Sequence, residues 1–101
     1  MSTASPERVA ELFTREQERF VATHPRSRQI HTEASQSLLS GVPMNWMTRW
    51  PGSFPIFIES ATGASVTDVD GNTYVDLCLG DTGAMTGHSP PATVTAASPR
   101  M

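Results

Sequence analysis

The sequence contains no lysine, because all seven of its basic residues are arginines. The chain therefore offers no side-chain amine that could form a Schiff base. Its single cysteine, Cys78, excludes an internal disulfide and a zinc site built on cysteines, and it favours a reducing, cytoplasmic setting. Charged residues make up 17% of the chain and the net charge is -3, so we expect no nucleic-acid partner.

Long apolar runs are also missing from the sequence. No stretch approaches the roughly 18 residues that a membrane-spanning helix needs, and the N-terminus lacks the basic and apolar regions of a signal peptide. We therefore expect no membrane partner. With 101 residues, the chain is long enough for one small domain at most.

Two helices are predicted within residues 1–41, which we interpret as a helical arm. Ser5 is a suitable N-cap for the first helix, and Pro25 should end that helix. Ser27 is predicted to cap a second helix, which should stop before Gly41. The apolar stripes of both helices are narrow, so the arm is expected to pack on something else.

Residues 42–54 are predicted to form a loop rich in large apolar side chains. No helical or strand period fits this stretch, which is interrupted by proline and glycine. Loops normally run over the surface, so we expect a buried aromatic loop that packs on its own domain, covers a partner or lines a pocket. Its large apolar residues are Met44, Trp46, Met47, Trp50 and Phe54.

Residues 55–79 predict a three-stranded antiparallel meander with strands at 55–59, 64–69 and 73–79. Turns are expected at Ala61–Gly63 and at Asp70–Asn72. Residues 80–101 then read as a glycine-rich loop followed by a short, truncated helix that continues to Ala97. The sequence therefore predicts an α+β fold.

One part of the meander imitates the start of a calcium-binding loop. Asp68, Asp70 and Asn72 would take the first, third and fifth positions of such a loop. The glycine and the bidentate glutamate that the loop also requires are replaced by Thr73 and Leu79. The pattern favours an ordinary hairpin turn, and we predict no metal site.

The triplet Asp81-Thr82-Gly83 matches the active-site triplet of aspartic proteases, in which two carboxylates share a proton. A retroviral-type protease would also need a flap and a second apolar-glycine segment after the triplet. Only 18 residues follow Gly83, and Gly80 stands where an apolar residue is expected. A protease using Asp81 is therefore an unfavoured alternative.

The stretch from Phe54 to Pro91 resembles the class III aminotransferases, which include glutamate-1-semialdehyde aminomutase. That family shows an apolar strand, a glycine turn, an Asp-x-Asp-Gly-x-x-Tyr-x-Asp segment and a Gly-His before a proline-led helix. A second histidine found in many relatives is replaced here by Pro90. The matching residues are Phe57–Glu59, Gly63, Asp68–Asp76, Gly87, His88 and Pro91.

The resemblance implies the N-terminal segment of a pyridoxal-phosphate enzyme of fold type I. Its parent would be a homodimer that transfers an amino group between an amino compound and a keto acid or aldehyde. Trp46 and Met47 would wall the substrate pocket, and Arg49 would meet a substrate carboxylate. The residues implied to line the substrate side of the cofactor are Asp81, Thr82, Gly83 and Ala84.

The missing lysine limits what the resemblance implies for this chain alone. Pyridoxal phosphate chemistry needs a lysine for the Schiff base, and in the family that lysine lies far downstream. We therefore expect a fragment that is inactive by itself, contributes no catalytic residue and does not bind the cofactor covalently. The remainder of the enzyme and a second subunit would be its partners. A standalone interaction module that uses the aromatic loop is the alternative.

Overall fold

The computed structural model describes residues 4–81 and 83–98 of the chain. These residues form helices and a sheet, which confirms the predicted α+β class. The chain divides into two compact units, Met1–Ile56 and Phe57–Met101, and the finer division into four segments stays a prediction. The elements are helices α1 (Pro6–Thr23), α2 (Pro25–Ala34) and α3 (Pro91–Ala97), 3₁₀ turns at Leu39–Gly41 and Asn45–Thr48, and strands β1 (Ile58–Thr62), β2 (Ser65–Asp68) and β3 (Thr73–Val75).

Helix α1 begins and ends where the local sequence predicts. The Oγ of Ser5 accepts a hydrogen bond from the main-chain N–H of Arg8 at 3.1 Å, which satisfies one of the free donors of the first turn. The helix ends at Thr23, two residues before Pro25, because a residue that precedes proline is disfavoured in helical conformation.

The predicted start of α2 at Ser27 is wrong. The helix begins at Pro25, and His24 occupies the N-cap position. Proline is well suited to the first helical position, since its fixed φ matches the helix and the missing N–H would have no helical partner there. Ser27 instead lies inside the first turn of the helix and is fully buried.

The first unit has a small apolar centre around Phe20. Its ring centroid lies 4.8 Å from that of Phe54, 5.2 Å from that of Trp50 and 4.3 Å from that of His24. The indole Nε1 of Trp50 donates to the main-chain oxygen of Phe54 at 3.1 Å, which ties the two ends of this cluster together. The centre thus joins α1 to the aromatic loop.

The aromatic loop is buried within this chain mainly at its ends. Val42 and Phe54 are the buried apolar residues of the described part of the chain, with exposed fractions of 5% and 6%. Met44 and Trp46 are exposed, Trp46 at 60%. The expectation of a buried loop therefore holds for its flanks, and the middle of the loop is open on this chain.

The second unit contains a three-stranded sheet in the order β1-β2-β3 with both pairs antiparallel, which confirms the predicted meander. The first strand starts three residues later than predicted, at Ile58, and extends through the predicted turn to Thr62. The reversal comes at Gly63, whose φ of +59° is costly for other residues. The third strand ends at Val75 rather than at residue 79.

Helix length and composition argue against a membrane span in the part of the chain that the structure describes. Among residues 4–81 and 83–98, none of the helices combines the length and the apolarity that crossing a bilayer requires.

Candidate functional site

Three of the predicted pocket residues lie together in the first unit, at its second 3₁₀ turn. Trp46 and Met47 belong to the turn Asn45–Thr48, and Arg49 follows it and donates its main-chain N–H to the oxygen of Trp46 at 3.0 Å. The turn is closed by the Thr48 hydroxyl, which donates to the Asn45 oxygen at 2.8 Å. Trp46 and Arg49 are exposed, and Met47 is half-buried.

The other predicted pocket residues lie in the loop that follows β3 in the second unit. Asp81 has a φ of +60°, a left-handed conformation that is uncommon for residues other than glycine. The main-chain N–H of Gly83 donates to the oxygen of Gly80 at 3.1 Å, and that of Ala84 donates to the oxygen of Leu79 at 3.0 Å. Thr82 lies outside the described residues.

The Asp81 carboxylate has a partner within this loop. Its Oδ1 accepts from the Sγ of Cys78 at 3.1 Å, and both side chains are exposed. The structure therefore places the predicted site residues in two local groups, one in each compact unit. Their joint participation in one pocket stays a prediction.

The loop that follows β3 is closed at its two ends by a carboxylate and an imidazole, those of Asp76 and His88. The sequence did not predict this pair. Asp76 Oδ2 lies 2.7 Å from His88 Nε2, and both side chains are about one-fifth exposed, at 20% and 21%. The other carboxylate oxygen accepts from the main-chain N–H groups of Cys78 at 3.0 Å and Leu79 at 2.9 Å. We name the Asp76–His88 pair, with these hydrogen bonds, the loop clasp.

His88 joins residues that are distant from it in the sequence. Its ring meets Asp76, twelve residues earlier, and its main chain forms an antiparallel bridge with Gly63. The two main-chain bonds of the bridge measure 3.0 and 2.8 Å. Gly87 has a φ of +96°, and an added Cβ would lie 3.3 Å from the Cα of Gly63, so a residue with a side chain would be strained beside His88.

The loop clasp should respond to acid. The hydrogen bond from His88, together with those from the amides of Leu79 and Cys78, holds the pKa of Asp76 below its ordinary value. A carboxyl whose pKa is lowered by folding contributes stability above its unfolded pKa and loses it as the pH falls through the lowered value. We expect the amide resonances of Cys78 and Leu79 to move in one acid transition, below about pH 4, in NMR spectra.

The matched variant for this titration is His88→Ala. Removing the imidazole should move the transition upward, towards the ordinary aspartate range, while Cys78 and Leu79 still report it. An identical transition in the variant and the parent chain would show that His88 does not act on Asp76.

The calcium-like motif serves a structural purpose in the hairpin. Asp68 is fully buried, and its Oδ1 accepts from the main-chain N–H groups of Asp70 at 3.0 Å and Asn72 at 2.8 Å. Its Oδ2 accepts from the side-chain amide of Asn72 at 3.0 Å and from the Tyr74 hydroxyl at 2.8 Å. Within residues 4–81 and 83–98, no group of three or more His, Cys, Asp or Glu side chains is placed to hold a metal.

The Tyr74 hydroxyl, which donates to Asp68, has a raised pKa. Burial, then the hydrogen bond to Asp68 and the negative charges of Asp68 and Asp70, raises the pKa of Tyr74 to about 12. The tyrosine therefore stays protonated and donates to the carboxylate across the working pH range.

Comparison with known proteins decides the family. No protein-family model matches the chain. The glutamate-1-semialdehyde aminomutase of Pseudomonas aeruginosa PAO1, solved in complex with PMP, is 47% identical with a TM-score of 0.83 over 95% of this chain. The chain belongs with the glutamate-1-semialdehyde aminomutases and aminotransferases. An uncharacterized aminotransferase of Schizosaccharomyces pombe is 41% identical over 73 residues, and the aminomutase of Methanocella arvoryzae is 41% identical over 66 residues.

The matched region is a small part of these family members. The two curated relatives match over 71% and 65% of this chain but over only 16% and 15% of their own lengths. The match to this chain covers 21% of the solved Pseudomonas aminomutase. A β-phenylalanine aminotransferase of Variovorax paradoxus, 22% identical with a TM-score of 0.78, shares the fold and confirms the predicted N-terminal part of fold type I.

The family's cofactor is pyridoxal phosphate, as predicted. The Pseudomonas aminomutase holds PMP, and a transaminase that is 27% identical, with a TM-score of 0.66, was solved with PLP bound. The residues of this chain do not fit a covalently held cofactor, because none of the 101 is a lysine. The comparisons favour neither the aspartic protease nor the standalone interaction module.

Proposed function

We propose that this chain is the N-terminal segment of a class III, pyridoxal-phosphate-dependent aminotransferase or aminomutase. The whole enzyme would be a cytoplasmic homodimer that transfers an amino group between an amino compound and a keto acid or aldehyde. The observation that carries the proposal is the 47% identity to the Pseudomonas aminomutase over 95% of the chain. The rest of the enzyme would supply the lysine and the cofactor.

The segment would contribute to the wall of the substrate pocket from its 3₁₀ turn. Trp46 and Met47 offer apolar surface there, and the exposure of Trp46 leaves its ring available to a substrate or to the rest of the enzyme. Arg49 is the residue directly after this turn. Its guanidinium could form two parallel hydrogen bonds with a substrate carboxylate.

The loop after β3 would form the substrate side of the cofactor pocket. Asp81, Gly83 and Ala84 lie between the ends that the loop clasp ties together, and Thr82 belongs to the same proposed set. The left-handed φ at Asp81 supports a functional role, since such conformations cluster where the surrounding structure holds a loop in a defined shape.

A chimera tests this proposal directly. This chain would replace the matched segment of the Pseudomonas aeruginosa aminomutase, and activity would be measured with and without added pyridoxal phosphate. We expect an active, cofactor-dependent chimera and no activity from the 101-residue chain alone. In the chimera, Arg49→Ala should raise KM for a carboxylate substrate by about ten- to a hundredfold with little change in kcat.

The control variant is Arg8→Ala. Arg8 is also an exposed arginine, and its ion pair with Glu11 at 2.9 Å lies on the surface of α1. Such exposed pairs contribute little, so kinetics should match those of the parent chimera. A folded chimera without activity, or equal kinetic effects of the two arginine variants, would contradict the proposed roles.

A further inference from the structure

A groove in the first unit combines apolar surface with the hydroxyl groups of three serines and one threonine. Its volume is about 300 Å³, at the lower end of the range for small-molecule pockets. We name it the hydroxyl groove. No Asp, Glu or Arg is among the described residues that line it. Its polar side chains are His31, Ser35, Ser40, Thr48, Trp50 and Ser53.

Three of these hydroxyl groups already donate their protons within the chain. Each donor–acceptor distance is 2.8 Å. The donations run from Ser35 to the His31 oxygen, from Thr48 to the Asn45 oxygen and from Ser53 to the Gln17 side-chain oxygen. A hydroxyl that has donated keeps its lone pairs, so these groups can offer only acceptors to a ligand.

The ring N–H groups of His31 and Trp50 also donate hydrogen bonds within the chain. His31 Nε2 lies 2.9 Å from the main-chain oxygen of Ser40. A carbonyl oxygen cannot donate, so Nε2 carries the proton and Nδ1 of the neutral ring is an acceptor. The indole N–H of Trp50 donates to the oxygen of Phe54 at 3.1 Å. Five of the six polar side chains named above therefore have their donors occupied.

We propose that the hydroxyl groove binds a small molecule with a primary ammonium group on an apolar body. An ammonium group has three donors and no acceptor, which complements a surface that offers lone pairs. A carboxylate is acceptor-only and would find few donors there. Trp50 supplies aromatic surface for the apolar body, and an indole ring also attracts a cation. This inference rests on the groove alone and not on the proposed function.

The test is an NMR titration of the full 101-residue chain with benzylamine, benzyl alcohol and benzoate. The three probes share a ring and differ in the number of donors. At about pH 8, where an ordinary histidine is neutral, benzylamine should shift the amides of Ser35 and Thr48 and the indole N–H of Trp50. We expect benzyl alcohol to bind at least about threefold more weakly and benzoate at least about tenfold more weakly.

Thr48→Val removes one acceptor from the groove at nearly constant volume. It should weaken benzylamine binding by about three- to tenfold. Thr32→Val is the matched control, because the Thr32 hydroxyl makes the same kind of bond within α2, to the Arg28 oxygen at 3.1 Å, and does not line the groove. The control should bind benzylamine like the parent chain.

Three outcomes would overturn the proposal. Equal affinity for the three probes would show that donor number does not matter. Equal effects of the two valine variants would show that the Thr48 oxygen is not used. No shift with benzylamine would show that the groove does not bind amines in this chain.

Discussion

Replacing Asp68 with alanine is expected to lower the hydrogen-exchange protection of the β2–β3 hairpin by about a hundredfold. Asp68 is fully buried and accepts hydrogen bonds from the main-chain N–H groups of Asp70 and Asn72, from the Asn72 side-chain amide and from the Tyr74 hydroxyl. Bonds to a charged acceptor contribute about 1.5–3 kcal/mol each, and the buried donors would lose their partner, so a net loss of about 3 kcal/mol is conservative. The amide of residue 68, which donates to the Asn72 oxygen at 2.9 Å, is the reporter.

Two further variants calibrate this measurement. Tyr74→Phe removes one of these donors and should cost about 1.5 kcal/mol, or roughly tenfold in protection. Thr73→Val alters an exposed hydroxyl pair with Thr67 at 3.2 Å and should have a small effect. If Asp68→Ala changes protection no more than Thr73→Val does, Asp68 does not organise the hairpin.

The same carboxylate makes the hairpin sensitive to acid. Burial opposes ionisation of Asp68, but the hydrogen bonds from Asn72, Tyr74 and the amide of Asp70 outweigh it and lower the pKa of Asp68. Because the folded pKa is the lower one, the stabilisation is complete above the unfolded value of about 3.9 and is lost as the pH falls through the folded value. Protection at residue 68 should therefore hold down to about pH 4 and fall below it.

The second large effect is expected from Gly41→Ala. Gly41 has a φ of +71°, and an added Cβ would lie 2.5 Å from Cδ2 of His31 and 2.7 Å from Oγ of Ser35. The left-handed conformation costs about 1–2 kcal/mol for alanine, and moving the imidazole would break its bond to the Ser40 oxygen, at about 1 kcal/mol more. Protection of the amide of residue 41, which donates to Leu38, should fall by about thirty- to a hundredfold.

Gly63→Ala separates backbone strain from the clash. Gly63 has a similar φ of +59°, but no atom lies within 4 Å of the Cβ that alanine would add. Its cost should be the strain alone, about 1–2 kcal/mol. Equal losses at the two glycines would show that His31 and Ser35 move aside at little cost.

The features that the sequence predicted best are those caused by residues close to one another in the chain. Ser5 caps α1 through a bond to Arg8, and Asp70, Gly71 and Asn72 form the second turn of the meander. Each of these signals is complete within a few residues. The start of α2 was misplaced because two local signals competed, and the proline at the first helical position prevailed over the serine two residues later.

The features that the sequence did not reveal depend on distant partners. The third strand ends at Val75 because Asp76 turns its carboxylate to the following amides and to His88. The Asp76–His88 pair links residues twelve positions apart. Hydrophobic periodicity cannot predict a contact between two polar side chains. Trp46 lies in a single 3₁₀ turn that directly precedes Arg49, and one such turn is too short for a hydrophobic period to show.

The bonds to Asp68 also bear on when the hairpin forms during synthesis. They span only two, four and six residues, whereas the Ser89 hydroxyl reaches the Ala61 oxygen across 28. Hairpins form in about 1–10 μs, and ribosomes add only about 5–20 residues per second. Once Tyr74 is clear of the ribosome, β2 and β3 can pair before the next residue is added, while the contact with Ser89 has to wait about a second more for Ser89 to emerge as well.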